Sequence, residues 1–211
     1  MLLELLGQHC EGRAGKCLDV GGGGDVSDLA GTITASFADE LHAVELEAHV
    51  EQAERKGIVA SQCDVDSEPL PYQDACFDII LFTSVIEHLY NPDHITSEIA
   101  RVLKPGGLLV IETPNAVALG RRLDVLAGKN PFRFFNQYNA LESRAPMVNC
   151  SVFYTAEEIR LLLAEHFDIV ETRYTMHTPS VNIVKAALRE MAYRLAPRMA
   201  DCFFVVARRR Q

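Results

Sequence analysis

Four consecutive glycines close the segment Cys17-Leu18-Asp19-Val20-Gly21-Gly22-Gly23-Gly24-Asp25. A short apolar run that ends in an acid and then in bare main chain lets a ligand lie directly against backbone, because no Cβ stands in the way. Two further acids, Glu45 and Asp64, each follow or close a later β-like run. One carboxylate can accept from both vicinal hydroxyls of a ribose. Together these residues suggest an adenosine-containing cofactor held over the strand ends of an open α/β sheet. Blander roles exist for each acid: Asp25 as a helix N-cap, Glu45 as a solvated strand end, and Asp64 as the turn-former of Asp64-Val65-Asp66-Ser67. The glycine run is harder to explain away. Each glycine costs about 0.5–1 kcal/mol relative to Ala in regular structure, and a bare turn needs only one or two.

Those residues require strands and helices in alternation to position them, and the chain supplies that pattern. Lys16 to Val20, Leu41 to Leu46, Ile58 to Cys63 and Phe77 to Thr83 read as successive strands, the last with the composition of a buried central one. Asp25 or Ser27 can cap the helix after the glycines, and Glu47 to Lys56 is a helix stopped by Gly57. Asn91-Pro92 is an N-cap and first-turn pair ahead of Ile95, Ile99, Val102 and Leu103 at helical spacing. Lys104-Pro105-Gly106-Gly107 reads as the stop of that helix, with Leu108 to Ile111 the next strand. Thr155-Ala156-Glu157-Glu158 is a capping box. Phe167 to Tyr174 and Phe203 to Ala207 complete the set of strands.

Length and charge narrow the field. A chain of 211 residues suits a single domain, 1–211, with lid or insertion segments at about 114–152 and 176–197 where the alternation fails. A net charge of −9 argues against a nucleic-acid binder. Six cysteines without a C-x-x-C pair read as free thiols in a reducing cytoplasm rather than as zinc ligands or disulfides. His42, His49, His94, His166 and His177 lack metal-ligand spacing, and no metal site is expected. Met1 to Leu6 is too short for a signal peptide, and no run reaches the roughly 20 apolar residues of a membrane span.

The ordered motifs resemble the class I S-adenosylmethionine-dependent methyltransferases. The resemblance runs through Asp19-Val20-Gly21-Gly22-Gly23-Gly24, Asp64, Leu70-Pro71-Tyr72, Phe77-Asp78-Ile79-Ile80, Val85-Ile86-Glu87-His88-Leu89 and Arg101-Val102-Leu103-Lys104-Pro105-Gly106-Gly107. It implies an α/β, Rossmann-like, doubly wound sheet of about seven strands, mostly parallel with an antiparallel last strand and helices on both faces. It implies S-adenosyl-L-methionine as cofactor. Asp19, Gly21, Gly22 and Gly23 would hold its methionine part, Glu45 its ribose, and Asp64 with the Val65 backbone its adenine. Thr83 and Ser84 would sit where the fourth strand opens onto it. Asp25 departs from the pattern, standing where many relatives have a third glycine. Pro114-Asn115 and Asn130-Pro131-Phe132 resemble methyltransferases of glycan or lipid pathways, so a small or medium-sized acceptor, glycan- or lipid-linked, is a candidate.

A nicotinamide-dependent oxidoreductase is the nearest competitor. Its G-x-G-x-x-G motif is incomplete in both registers, which end in Val26 or Ser27, and Asp25 and Asp28 would repel a pyrophosphate. A non-catalytic module with the same fold is the other alternative. Methyl transfer from a sulfonium needs in-line positioning above all, and a general base only for a weakly acidic acceptor. His88, with its unperturbed pKa near neutrality, and the adjoining Glu87 are the catalytic candidates, although His88 suits helix packing equally well. Arg121-Arg122 and Phe132-Arg133-Phe134-Phe135 could cover an anionic or sugar-bearing acceptor. Val184, Leu188, Met191 and Leu195 line one face of a helix carrying Lys185, Arg189 and Arg194. Such a helix usually covers the sheet, and it also suits an anionic membrane surface.

Overall fold

The computed structural model describes residues 1–10, 12–21, 23–131, 152–176 and 191–211, with the backbone alone at 23–27, 47 and 48. In chain order the elements are α1 (Leu2–His9), β1 (Ala14–Val20), α2 (Gly23–Ser36), β2 (Ala38–Glu45), α3 (Glu47–Arg55), β3 (Val59–Gln62), β4 (Phe77–Thr83) and a 3-10 turn at Ile86–His88. There follow α4 (Pro92–Val102), β5 (Leu103–Pro114), α5 (Leu119–Leu126), α6 (Ala156–Leu163), β6 (Phe167–Thr175) and β7 (Cys202–Arg209). The strands form one seven-stranded sheet in the order β3-β2-β1-β4-β5-β7-β6. β1 to β5 pair in parallel, and β7 runs antiparallel between β5 and β6.

The near-continuous apolar runs of β4 and β7 are explained by cover on both faces. Alternate residues feed two separate cores. Ile80, Phe82, Ile111 and Phe203 pack with Ile95 and Ile99 of α4 and Ile159 of α6. Ile79, Leu81, Val110 and Phe204 pack on the other face with Leu5 and Leu6 of α1, Ile33 of α2 and Ala53 of α3. The sheet, its antiparallel strand and its two helical layers match the expected architecture.

Local signals set most boundaries. Asn91 Oδ1 accepts from His94 N at 3.4 Å at the start of α4. Thr155 and Glu158 form both bonds of the capping box ahead of α6. Gly57, at φ +78, ends α3 in the left-handed conformation that glycine tolerates.

Some boundaries depart from the sequence reading. α2 begins at Gly23, so Asp25 and Ser27 lie inside its opening turns instead of capping it. The chain turns early because Gly21 takes φ +65 and its N–H bonds Val44 O at 2.8 Å. β5 begins at Leu103, which pairs with Phe77, and Lys104 to Gly107 form an irregular first part of that strand with Gly106 at φ +75. Residues 114–131 contain α5, which the sequence pattern does not announce, while Phe132 to Phe135 lie outside the described residues. Of the expected helix near the C-terminus, 191–195 are helical; there Tyr193 packs inward, its hydroxyl donating to Asp201 Oδ1 at 3.0 Å. Met191 and Leu195 are exposed, so that end of the apolar stripe does not cover the sheet; Val184 and Leu188 lie outside the described residues.

Candidate functional site

β1 is flanked by β2 on one side and β4 on the other, so the winding of the sheet reverses between β1 and β4. In open α/β sheets the crevice outside the carboxyl ends at that reversal is the ligand site. Asp19 and Gly21 border it from β1, and Thr83 and Ser84 from β4. A Cβ on Gly21 would stand 3.3 Å from Val85 Cγ1, and the φ of +65 independently favours glycine there. Gly22 is outside the described residues, and Gly23 contributes its backbone as the first residue of α2.

Strand register assembles the rest. Val20 pairs with Val44, Asp19 with Leu81, Thr83 with Glu112 and Glu112 with Phe204. Carried past the last paired residues of β1, this register sets Gly21 beside Glu45 and Thr83, so that Glu45, Gly21, Thr83 and Glu112 fall in a single transverse row, on the face shared by Leu81 and Val110. All three side chains of that row are buried: Glu45 is 5% exposed, Thr83 7% and Glu112 6%. Asp19, on the same face one step inward, is 1% exposed. Thr83 Oγ1 has no hydrogen-bond partner among the described residues. A buried hydroxyl in that state calls for a partner from outside them.

Ser84 is held in a conformation rare for a side-chain-bearing residue, φ +57. Its N–H donates to Glu112 O at 2.9 Å and its hydroxyl to Glu112 Oε2 at 2.6 Å. Glu112 thus fixes the chain where β4 ends. Burial pushes the neighbouring Cys202 thiol pKa far up, and the Glu112 carboxylate pushes it further.

Asp64 and Val65 sit past the end of β3, at the far edge of the sheet. The Asp64 carboxylate accepts from Asp66 N at 3.2 Å and Ser67 Oγ at 2.7 Å, so its turn-forming role is realised. A carboxylate retains further lone pairs for an adenine amino group. The Val65 side chain belongs to the core, leaving its main chain for any ligand.

Glu87 and His88 occupy the 3-10 turn after β4. Glu87 is 3% exposed and accepts from Thr113 Oγ1 at 3.0 Å. Burial pushes its carboxyl pKa up, and the Glu112 charge adds to the rise against the opposing pull of Thr113 and His88. His88 is half-buried, its N–H bonded to Val85 O at 2.8 Å. Tyr154 lies in the same core region, its ring buried and its hydroxyl without a hydrogen-bond partner among the described residues. Sequence reasoning missed Glu112, Thr113 and Tyr154. For Glu112 a signal existed: an acid closing an apolar run, as Glu45 does.

Arg121 donates to Asn115 O at 2.7 Å and stacks over Phe153 at 4.9 Å, while Arg122 donates to Val117 O at 2.7 Å. Both brace their own segment through these bonds, as packing within a lid requires. A cleft of about 270 Å³ opens at the opposite, amino-terminal edge of the sheet. Its cations are engaged within the fold: Lys104 with Asp78 at 2.6 Å, and Arg208 with Gly106 O and His9 O at 2.8 Å each. Among the described residues no group of three or more His, Cys, Asp or Glu is placed to hold a metal ion, and no helix is long and apolar enough to cross a membrane.

Buried acids beside the glycine turn suit a nucleoside that carries positive charge and disfavour a pyrophosphate. The fold and crevice are those of a Rossmann-like nucleoside-cofactor protein. Residues 18–111, from β1 to β5, match the family described as Methyltransferase domain. A protein described as a probable S-adenosylmethionine-dependent methyltransferase from Mycolicibacterium smegmatis is 30% identical over 146 residues, covering 67% of this chain and 52% of its own. A ubiquinone biosynthesis O-methyltransferase from Agrobacterium fabrum is 28% identical over 135 residues, 60% of this chain and 53% of its own. This chain spans about half the length of the curated relatives it matches. The S-adenosylmethionine-dependent methyltransferase of Mesorhizobium loti shares the fold at TM-score 0.63 and 18% identity, covering 98% of this chain and 96% of that one. The chain belongs to the class I S-adenosylmethionine-dependent methyltransferases, a family whose cofactor is S-adenosyl-L-methionine.

Proposed function

We propose that this protein, acting as a single domain, transfers the methyl group of S-adenosyl-L-methionine to a small or medium-sized acceptor. The carrying observation is the crevice between β1 and β4, where the main chain of Gly21 lies beside buried Glu45 and the unsatisfied Thr83 hydroxyl. In this reading Asp19 and the Gly21 to Gly23 backbone hold the methionine part, Glu45 the ribose, and Asp64 with Val65 the adenine. Thr83 and Ser84 border the methyl-bearing end. When bound, the cofactor supplies an electrophilic methyl group on a cationic sulfur. This chain's own residues orient it, keep water from it and, for a hydroxyl acceptor, remove a proton. His88 takes that proton and Glu87, beside it in the turn, supports it.

The acceptor we favour is glycan- or lipid-linked, or a quinone precursor, quinone biosynthesis being what the names of several relatives state. Exposed Met191 and Leu195 beside Arg194 and Arg198 suit contact with an anionic membrane surface, and free thiols suit a cytoplasmic setting. Calorimetric titration with S-adenosyl-L-methionine is expected to show binding by the wild type and its loss in Gly23→Asp. A wild type that does not bind at millimolar cofactor refutes the reading. Release of S-adenosylhomocysteine during a screen of phenols, quinones and glycan precursors, absent in Glu45→Ala/Asp64→Ala, separates an enzyme from a non-catalytic module.

A further inference from the structure

Glu112 is a buried carboxylate whose known partners are hydroxyl, thiol and main chain. Its Oε2 accepts from Ser84 Oγ at 2.6 Å, and its charge reaches the Cys202 thiol and the Glu87 carboxyl. Among the described residues no Lys, Arg or His forms an ion pair with it. Arg121, whose charge reaches the Cys202 thiol, is bonded instead to Asn115 O at 2.7 Å. A buried charge without a counter-charge is costly, and a cationic ligand in the adjoining crevice would supply one.

Register places the residue beside the crevice. Glu112 pairs with Thr83 in the row that continues to Gly21, and it shares their face. Neighbouring strands lie about 4.8 Å apart, so its backbone is about 5 Å from that of Thr83 and about 10 Å from that of Gly21. Ser84 anchors one carboxylate oxygen through its hydroxyl and the adjoining main chain through its N–H, which fixes the charge in place.

We propose that Glu112 is a charge-selecting residue of the cofactor site, favouring the cationic sulfonium of the methyl donor over the neutral thioether of the product. The inference rests on the cofactor site proposed above. Its consequence is differential binding. Methyl transfer abolishes the positive charge that Glu112 stabilises, so the product loses an interaction the donor had and the donor displaces it more readily.

The test is the ratio of affinities for S-adenosylmethionine and S-adenosylhomocysteine, read by calorimetry on wild type and Glu112→Gln. Sinefungin, with an ammonium in place of the sulfonium, serves as an unreactive second cation. Gln keeps an oxygen to accept from Ser84 Oγ, so the variant is expected to fold, and a thermal melt verifies it. Removing a buried unit charge within about 10 Å of a ligand cation should lower the preference for both cationic ligands over the thioether by about five- to twentyfold. If Glu112→Gln does not fold, Glu112→Asp, which keeps the charge but withdraws it by one methylene, is expected to lower the same ratio less. A ratio unchanged within about twofold, with both ligand types still bound, overturns the inference and leaves the cofactor site intact. A wild type that binds none of the three ligands overturns the cofactor reading itself.

Discussion

Two buried carboxylates lie near the end of β5, and their surroundings give them different behaviour. Glu112 is anchored by Ser84, whereas Glu87 is held by the Thr113 hydroxyl and pushed toward its protonated form chiefly by burial. With its folded pKa above the unfolded one, Glu87 favours the native state in acid, and that contribution is lost as pH rises through the folded value. Glu87→Gln retains a side chain that can accept from Thr113 but cannot ionise. Its thermal stability relative to wild type is therefore expected to rise from about pH 4, near the unperturbed carboxylate range, to about pH 8. Melting both proteins across that range tests it. A difference that stays flat, or that shrinks as pH rises, contradicts a raised Glu87 pKa. The general-base role of His88 requires a separate measurement, the pH profile of turnover.

The elements that carry the site differ in how local their causes are. The start of α6 is specified within four consecutive residues, with Thr155 accepting from Glu158 N at 3.3 Å and Glu158 Oε2 from Thr155 N at 2.7 Å. Thr155→Ala is expected to cost about 0.5–2 kcal/mol in urea unfolding. Cofactor affinity should not change, because α6 packs on the face of the sheet opposite Glu45 and Thr83. A weakened titration in that variant would link α6 to the crevice. Such self-contained signals explain why Asn91-Pro92, Gly57 and β4 were legible in the sequence. β5 was legible only in its apolar middle. Lys104-Pro105-Gly106-Gly107 has the composition of a turn, and only the pairing of Leu103 with Phe77 draws it into the strand. The site divides in the same way. Asp19, Gly21 and Glu45 stand out because each closes its own strand. Glu112 and Thr113 acquire meaning from the residues beside them, and Tyr154 from a core contact remote in sequence. Lateral register is a product of the assembled sheet, and no local pattern records it.

At the scale of the molecule, the sheet separates two cores that share no side chain. α1 illustrates how one of them is closed. Arg173 of β6 donates to Glu4 Oε1 at 3.1 Å and Gln8 Oε1 at 2.5 Å, while His9 pairs with Glu171 at 2.7 Å. These contacts pin α1 across the edge of the sheet, with Leu5 and Leu6 fully buried beneath it. Ile159 of α6 is equally buried in the opposite core. Truncating either side chain to Ala should cost about 2–5 kcal/mol, since a cavity is left in packed surroundings. The layers that hold the two side chains stand on opposite sides of the sheet. The losses in Leu6→Ala/Ile159→Ala should therefore add to within about 0.5 kcal/mol when each variant is unfolded in urea. A double variant that loses less than the sum by more than about 1 kcal/mol would mean that one truncation already loosens the other core. The intervening strands would then yield as a unit. Because Glu45, Gly21, Thr83 and Glu112 lie across those strands, such coupling would also predict weaker cofactor binding in the Ile159→Ala variant alone, far from the crevice it would disturb.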